Sequence, residues 1–308
     1  MGLGIGAVQN ILELNNLGYF KNSNNTIEIG SQNLHLNVAD LKELLNTAGI
    51  NKNLEENFPH VKNWPFSPKC QSKYLWESLG INDYKCIDMD GENNAIVHDL
   101  NKPFGDKSLF NKFDIVTDFG SCEHVFNVAE CYKTMHNLTK PGGYMIIAQA
   151  TLKGNGYFKF DQSFFEGMAA ANNYNVVYNS YMITTGSKTE NGSWHEFHIP
   201  RNEELLKVMD YSKLSQSEKG SYINIYCVFQ KTNENEFKIP YQGNITKDIY
   251  NIAGFNRAYL KETLSYNYIP SATVKINDAS LVVIFRELYK WFKNKTKKII
   301  RKVIMKVK

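Results

Sequence analysis

Between residues 26 and 231, short runs rich in β-branched and aromatic residues alternate with segments in which apolar residues recur every three to four positions. This alternation is typical of a mostly parallel sheet that carries helices on both faces. The sequence predicts seven strands, over residues 26–30, 84–89, 94–99, 113–119, 144–150, 174–183 and 222–230. We therefore expect a doubly wound α/β fold.

The helical spacing covers residues 38–48, 69–79, 127–138 and 162–172, and the residues before Asn25 show the same pattern. Two segments, 51–68 and 184–221, exceed what the strands and crossover helices require. Long excursions from an α/β sheet serve either as lids and binding loops or as packed surface loops. Both interpretations stay open for these two segments.

The charge of the chain is divided unevenly. Ten of its 35 Lys and Arg residues lie in residues 286–308 beside a single acid, Glu287, which leaves 25 basic and 30 acidic residues elsewhere. The five cysteines are scattered, without a CxxC pair or a His/Cys cluster, so we expect free thiols and no metal site. Neither a secretory signal nor a long apolar run is apparent, which favours the cytoplasm.

Acids and glycines follow the predicted strands at the edge where parallel sheets bind nucleotide cofactors. Glu28 stands two residues before Gly30, and a glycine at such a turn lets the backbone approach a ligand. Asp88 ends the second strand and is suited to accept hydrogen bonds from a ribose diol. Asp99 follows the third strand, where it could hold an adenine amino group or begin a turn. Taken singly, each residue is also compatible with an ordinary turn.

A longer motif lies further along the chain. Residues 113–125 read Phe-Asp-Ile-Val-Thr-Asp-Phe-Gly-Ser-Cys-Glu-His-Val, and residues 138–143 read Leu-Thr-Lys-Pro-Gly-Gly before the next strand. This pattern resembles class I S-adenosylmethionine-dependent methyltransferases over residues 26–150. The resemblance implies a Rossmann-like methyltransferase fold and S-adenosyl-L-methionine as the cofactor. It also implies a set of cofactor-binding residues: Glu28, Gly30, Ser31, Gln32, Asp88, Asp99, Gly120 and Glu123.

The chain departs from that family after the first glycine, where a second glycine is usual and Ser31, Gln32 and Asn33 stand instead. Gln32 or Asn33 could supply polar contacts to the methionine part of the cofactor. His124 could be a ligand or a base, although in the family pattern the Glu-His pair more often anchors the following helix. The polar triplet and residues 156–165 resemble methyltransferases found with bacterial surface-polysaccharide genes.

Polar and aromatic residues after the fifth strand suggest where an acceptor binds. His195 and His198 flank Glu196 and are the predicted catalytic bases, although surface histidines near aromatic residues are also common. Arg201 is a candidate partner for an acidic or phosphorylated acceptor. Tyr157 and Asp161 are further candidates for acceptor binding.

The resemblance to surface-polysaccharide methyltransferases implies O-methylation of a sugar, or of a sugar-linked phosphate group, in cell-surface glycan biosynthesis. A nicotinamide-dependent oxidoreductase is disfavoured because no GxGxxG follows the first strand. A non-catalytic methyltransferase-like domain that recruits a partner to the membrane is the alternative, and cofactor affinity distinguishes it from the enzyme. Nucleic acid is a disfavoured acceptor because the core of the chain is acidic.

The predicted organisation is a methyltransferase domain over residues 1–231, an appendage of unknown role over 232–279 and a helix over 280–308. Apolar residues of this last segment recur at helical spacing, and basic residues occupy much of the remaining surface. A basic amphipathic helix of this kind is attracted to anionic lipid. We expect peripheral attachment to the inner face of the cytoplasmic membrane; packing on the domain and nucleic-acid binding are the alternatives.

Overall fold

The computed structural model describes residues 2–51, 69–152, 154–200 and 222–240. Its strands are β1 (Gly2–Leu3), β2 (Asn25–Ile29), β3 (Asn33–His35), β4 (Lys69–Gln71), β5 (Asp83–Asp88), β6 (Ile96–Val97), β7 (Phe113–Phe119), β8 (Thr139–Leu152), β9 (Asn175–Lys188), β10 (Trp194–Pro200) and β11 (Tyr222–Gln230). Its α-helices are α1 (Ile5–Asn16), α2 (Val38–Thr47), α3 (Lys73–Ser78), α4 (Val128–Leu138) and α5 (Gln162–Asn172).

The main sheet contains eight strands in the order β10-β9-β11-β8-β7-β2-β5-β6. The strands from β8 to β6 pair in parallel, whereas β11 pairs antiparallel with both β8 and β9. The strand order therefore reverses between β2 and β7, which is where open α/β sheets bind ligands. The mixed α/β, Rossmann-like architecture is confirmed, and all seven predicted strands are present in this sheet.

The prediction of a seven-stranded sheet was wrong by one strand. β9 continues beyond residue 183 to Lys188, and the chain turns back as β10, antiparallel to β9. The polar residues of β10 resemble an exposed loop in sequence, but two of them, Glu196 and His198, hydrogen-bond to Gly6 in α1. Residues 184–200 are therefore a hairpin extension of the sheet, and residues 201–221 lie outside the described part of the chain.

The turn after β2 leads into β3, which is the middle strand of a second, three-stranded sheet in the order β1-β3-β4. Leu34 in β3 pairs with Leu3 in parallel and with Cys70 antiparallel. The helix predicted over residues 69–79 consequently begins only at Lys73, because residues 69–71 are used in the sheet. Most of the predicted excursion 51–68 lies outside the described residues.

Helices cover both faces of the main sheet, and each face has its own hydrophobic core. The first core contains residues of α1, α2 and α3, and the second contains residues of α4 and α5. Adjacent β7 residues alternate between them, with Ile115 in the first and Val116 in the second. All seven residues of β7 are buried, as expected for a central parallel strand. The five cysteines are buried free thiols, as predicted.

Two parts of the recognised motif have structural roles at the amino end of the sheet. The buried Asp114 accepts hydrogen bonds from the backbone N–H groups of Asn24 and Asn25, at 2.7 and 3.2 Å, and so aligns the starts of β2 and β7. Gly142 has φ +80°, and a Cβ on Gly143 would lie 2.9 Å from three backbone oxygens. Both glycines lie inside β8, where its pairing with β7 shifts register, and they let the two backbones approach closely there.

The tip of the β9–β10 hairpin is attached to the start of α2. Asp40 accepts hydrogen bonds from the side chains of Thr189 and Asn191, at 2.9 and 3.1 Å, and the Asn37 N–H donates to Ser193 Oγ at 2.6 Å. These bonds join the sheet edge to the helix that follows the β2 turn.

No helix in the described residues is long and apolar enough to cross a membrane.

Candidate functional site

The carboxyl ends of β2, β5 and β7 meet at the point where the strand order reverses. Gly30, Asp88 and Gly120 stand at these ends, each in or beside the turn that leaves its strand. Gly30 has φ +81° and Gly120 has φ +86°, values that other residues adopt only at a cost. The structure thus brings the predicted glycines and the predicted ribose-binding acid to one edge of the sheet.

Gly30 is required by a close approach as well as by its backbone angle. A Cβ at this position would lie 2.1 Å from Ser121 Oγ, which itself donates to the Ile29 carbonyl at 2.5 Å. The Gly30 N–H donates to the Ile87 carbonyl at 2.7 Å. The turn after β2 is therefore packed directly against the turn after β7, and a side chain at Gly30 would separate them.

Glu28 supports this turn from inside the protein. Its buried carboxylate accepts hydrogen bonds from Ser72 Oγ at 2.7 Å, Trp76 Nε1 at 2.9 Å, Tyr84 OH at 2.8 Å and the Gln32 N–H at 3.3 Å. Burial raises the pKa of the Glu28 carboxyl, while these four donors oppose the rise. Because four hydrogen bonds already occupy its buried carboxylate, Glu28 positions the turn, and direct contact with a cofactor stays a prediction.

Gln32 occupies the place where related chains carry a second glycine. Its side chain is fully buried, and Nε2 donates to the Ile29 carbonyl and to Ser121 Oγ, both at 2.8 Å. Its Oε1 has no hydrogen-bond partner. A buried acceptor without a donor costs about 1–3 kcal/mol. Oε1 is also buried away from solvent, so Gln32 supports the turn through Nε2, and its contact with a cofactor stays a prediction.

Asp88 is held in place by backbone donors and keeps unused acceptor capacity. Its two oxygens accept hydrogen bonds from the Ser31 N–H at 2.8 Å and the Met89 N–H at 2.7 Å. A carboxylate can accept about four hydrogen bonds, so these two leave capacity for a ligand diol. Ser31 Oγ accepts from the Asn93 side chain, which joins the turns after β2 and β5.

Asp99 begins a turn, the second of its two predicted roles. Its Oδ1 accepts hydrogen bonds from the Asn101 N–H at 3.0 Å and Asn101 Nδ2 at 2.9 Å, and Lys102 Nζ lies 3.3 Å from its Oδ2. The Asn101 hydrogen bonds lower the pKa of this carboxyl, with a smaller effect from Lys102. Binding of an adenine amino group by Asp99 stays a prediction.

Two residues that sequence reasoning did not select, Asp118 and Gln149, shape the turn after β7. The buried Asp118 accepts hydrogen bonds from the N–H groups of Ser121 and Cys122, at 2.8 and 3.2 Å, and from the Gln149 side chain. Burial raises the pKa of Asp118 to about 6. Asp118 lies inside the recognised motif, but its inward orientation on β7 becomes visible only in the fold.

Glu123 connects this turn to the end of β8. Its Oε2 accepts a hydrogen bond from the Ala150 N–H at 2.7 Å, and its own N–H donates to Gln149 Oε1 at 3.1 Å. His124 is partly exposed beside it, with Nε2 at 3.7 Å from Glu123 Oε1. Glu123 thus joins the turn after β7 to the carboxyl end of β8, with His124 beside it.

The two predicted catalytic histidines have different surroundings. His198 is fully buried, with Nε2 3.0 Å from the Gly6 carbonyl and Nδ1 2.8 Å from Ser180 Oγ. A carbonyl only accepts, so Nε2 carries the proton and Nδ1 accepts from Ser180. Burial lowers the pKa of His198 to about 4. Both ring nitrogens of His198 therefore have partners inside the protein, and this geometry does not support the predicted role of His198 as a base. His195, in contrast, is exposed.

Glu196, between these histidines, is a helix cap supplied by a distant strand. Its Oε2 accepts a hydrogen bond from the Gly6 N–H at 3.0 Å, and Oε1 accepts from Thr184 Oγ1 at 3.0 Å. Gly6 lies in the first turn of α1, whose N-cap, Gly4, has no side chain to bond these donors. Burial raises the pKa of the Glu196 carboxyl.

The predicted acceptor-binding residues also differ in their surroundings. Tyr157 is 74% exposed and contacts Phe126, a residue that sequence reasoning did not select. Asp161 is the N-cap of α5, where its Oδ1 accepts from the Ser163 N–H at 2.9 Å. Arg201 lies outside the described residues.

Residues 93–211 match the family model described as a methyltransferase domain. This match confirms the prediction of a methyltransferase. No curated protein matches the chain in sequence.

Solved structures are only remotely similar to the chain. A SAM-dependent methyltransferase from Archaeoglobus fulgidus has 12% identity and a TM-score of 0.34, covering 73% of this chain and 93% of its own. The trans-methyltransferase CalH, in complex with SAH, has 13% identity and a TM-score of 0.31, and the match covers 72% of this chain and 55% of CalH. The 1,6-didemethyltoxoflavin-N1-methyltransferase from Burkholderia thailandensis has 9% identity and a TM-score of 0.27, and the match covers 74% of this chain and 79% of that enzyme.

Proposed function

We propose that this S-adenosylmethionine-dependent methyltransferase transfers a methyl group to a hydroxyl of a sugar, or to a sugar-linked phosphate group, during cell-surface glycan biosynthesis. The observation that carries the cofactor part is the meeting of Gly30, Gln32 and Asp88 at the reversal point of the sheet. The sugar part is supported by the likeness of residues 156–165 to methyltransferases found with surface-polysaccharide genes.

The residues at this edge fit the polar groups of the cofactor. The Asp88 carboxylate has acceptor capacity for the two ribose hydroxyls, and its position is set by the Ser31 and Met89 N–H groups. Gln32 Nε2 donates to the Ile29 carbonyl and to Ser121, and so holds the turn that approaches the methionine part of the cofactor. Gly30 leaves the backbone free of a side chain where the turns after β2 and β7 converge.

When bound, S-adenosylmethionine supplies an electrophilic methyl group. The chain must then exclude water, align the acceptor oxygen and accept the proton that a hydroxyl acceptor loses. Of the two histidines predicted as bases, His195 and His198, the proposed base is His195 because it is exposed. His124 is a second candidate for this role, since it is partly exposed beside Glu123 at the carboxyl end of β7.

Calorimetry and mass spectrometry test this proposal in two steps. Purified protein should bind S-adenosylmethionine, and incubation with candidate nucleotide sugars and glycans should give an acceptor that gains one methyl group together with S-adenosylhomocysteine. Absence of cofactor binding would contradict the enzyme proposal and favour the non-catalytic alternative. Cofactor binding with methylation of a non-sugar acceptor alone would overturn the sugar assignment.

The predicted basic helix at residues 280–308 lies outside the described residues, and its role is part of the same proposal. Attachment to anionic lipid would place the enzyme beside lipid-linked glycan intermediates. Deleting residues 281–308 should abolish sedimentation with anionic vesicles and leave cofactor binding unchanged. Sedimentation of the truncated chain, or no sedimentation of the full chain at physiological salt, would contradict membrane attachment.

A further inference from the structure

Two exposed aromatic side chains meet at the carboxyl edge of the sheet. Phe126 follows the turn after β7 and is 77% exposed, and Tyr157 follows β8 and is 74% exposed. Their ring centroids are 6.1 Å apart, with an edge-to-face angle of 87°. They are the two most exposed large apolar side chains in the described part of the chain.

The loop that carries Tyr157 is fixed to the cofactor-side turn. The Phe158 N–H donates to the Glu123 carbonyl at 3.2 Å, and the Phe160 N–H donates to the Ala150 carbonyl at 2.9 Å. A Cβ on Gly156 would lie 2.5 Å from that same Glu123 carbonyl, so the glycine permits the contact. Phe158 and Phe160 pack into the second core, whereas Tyr157 between them faces solvent.

This arrangement presents apolar surface to water at a defined place. An aromatic side chain contributes about 150–250 Å² of surface when buried, so two adjacent exposed rings leave a substantial contact area uncovered. Adjacent exposed apolar side chains mark binding surfaces more often than isolated ones do. Because the loop is held by backbone hydrogen bonds, the rings are placed before a ligand arrives.

An exposed cationic side chain, Lys159, follows Tyr157 by two residues. Its Nζ donates to the Gly156 carbonyl at 3.3 Å without an ion pair to any carboxylate of the described residues. Lys159 and Glu123 both approach the backbone of Gly154. A Cβ added to Gly154 would lie 3.1 Å from Lys159 Nζ and 3.2 Å from Glu123 Oε1. His124 lies 3.7 Å from that Glu123 oxygen. Lys159 is therefore available to pair with an anionic group of a ligand.

We propose that Phe126 and Tyr157 form a stacking platform for the acceptor, and that the acceptor is a sugar ring bearing an anionic group. A pyranose has an apolar C–H face that can lie on an aromatic ring, while its hydroxyls point outward to polar groups. Lys159 pairs with the carboxylate or phosphate of the sugar and sets its orientation. This inference rests on the proposed function and names the acceptor class for the same site.

Saturation-transfer NMR on the full chain with S-adenosylhomocysteine tests the platform. The probes are methyl α-D-glucopyranosiduronic acid and methyl α-D-glucopyranoside, which differ only in the carboxylate. We expect transfer to the ring protons of the anionic sugar, reduced at least about fivefold in Phe126→Ala and in Tyr157→Ala because each removes one stacking ring. Lys159→Gln should lower the signal of the anionic sugar to that of the neutral one.

Matched variants separate stacking from folding. Tyr157→Phe should retain the signal because it keeps the ring, and Leu17→Ala, which removes a 58% exposed residue from the end of α1, should also retain it. Affinity for S-adenosylhomocysteine should stay within about twofold in all of these variants, since none of the changed residues belongs to the cofactor turns.

Three results would overturn the inference: no transfer from the wild-type protein to either sugar, unchanged transfer in the double alanine variant, or transfer to p-hydroxybenzoate but to neither sugar. The last result would indicate an aromatic acceptor. Failure of S-adenosylhomocysteine to bind at all is a separate outcome, and it would overturn the proposed function as well.

Discussion

At the scale of single residues, the proposed cofactor site depends on a few atoms that permit two turns to meet. Gly30 and Ser121 are in direct contact, and Gln32 bonds to the same serine. A positive φ alone does not identify such a position, because Gly49 after α2 has φ +77° with nothing within 4 Å of its Cβ position. Space around the backbone therefore distinguishes a site glycine from a helix-end glycine.

Gly30→Ala and Gly49→Ala separate backbone strain from close approach. We expect Gly49→Ala to lower the free energy of unfolding by about 1 kcal/mol, the cost of the left-handed conformation. Gly30→Ala should cost about 2 kcal/mol more, since Ser121 must move and lose its hydrogen bonds. Urea unfolding measures both values. Only Gly30→Ala should weaken S-adenosylhomocysteine binding in calorimetry, and equal effects of the two variants would contradict the close-approach argument.

Asp88→Asn tests the proposed ribose contact. Hydrogen bonds to a charged group contribute about 1.5–3 kcal/mol, so the variant should bind S-adenosylhomocysteine about ten- to hundredfold more weakly. Asp83→Asn is the matched control, because Asp83 starts the same strand and pairs with Lys85 in solvent. Isothermal titration of both variants gives the comparison. Unchanged affinity in Asp88→Asn would show that this carboxylate does not contact the ligand.

At the scale of elements, α1 is attached to the far edge of the sheet through Glu196. The helix has no capping side chain of its own, and the carboxylate from β10 bonds to its Gly6 N–H. Gly4 leaves room for that carboxylate, since a Cβ there would lie 2.2 Å from Glu196 Oε2. The glycine-rich start of the chain thus has a packing role.

Gly4→Ala should lower the free energy of unfolding by about 1–3 kcal/mol because it pushes the Glu196 carboxylate out of place. In a Glu196→Ala background the same change should cost less than about 1 kcal/mol, the loss of a favourable N-cap residue. Gly105→Ala, in open space, is the control. Urea unfolding of the double-mutant cycle measures the coupling, and additive effects would show that Gly4 and Glu196 act independently.

At the scale of the whole molecule, buried ionisable groups make stability depend on pH. Burial lowers the pKa of His198 from 6.5 to about 4. The unfolded chain therefore binds more protons between these values, and this histidine's contribution to stability is lost as the pH falls from 6.5 to 4, by about 3 kcal/mol in total. Asp118, with its pKa raised to about 6, acts in the opposite direction in the same range.

Comparison with His198→Gln isolates the histidine from Asp118. The variant should be less stable than the wild type at pH 7, where His198 keeps its bonds to Gly6 and Ser180. The difference should shrink as the pH approaches 4, because the variant has no imidazole to protonate. Urea midpoints at several pH values measure the trend. A constant difference between His198→Gln and the wild type would contradict the low pKa of His198.

The sequence by itself determined the seven central strands, the turn at Gly30 and the position of Asp88. Periodicity reports which residues of a segment are buried, and parallel strands bring their carboxyl ends to one edge in any fold of this kind. The methyltransferase motif added the order of the elements. These features depend on residues that are close in sequence or on the common geometry of α/β sheets.

Only the tertiary structure decided the roles of Glu196, His198 and Asp99, and the existence of β10. A polar residue in a short strand is a candidate base or a buried bond partner, depending on what packs against it. For Glu196 that partner is Gly6, 190 residues away. Local sequence carries no signal of such a pairing, because the energy that buries a charged or polar side chain comes from donors and acceptors that the fold brings to it.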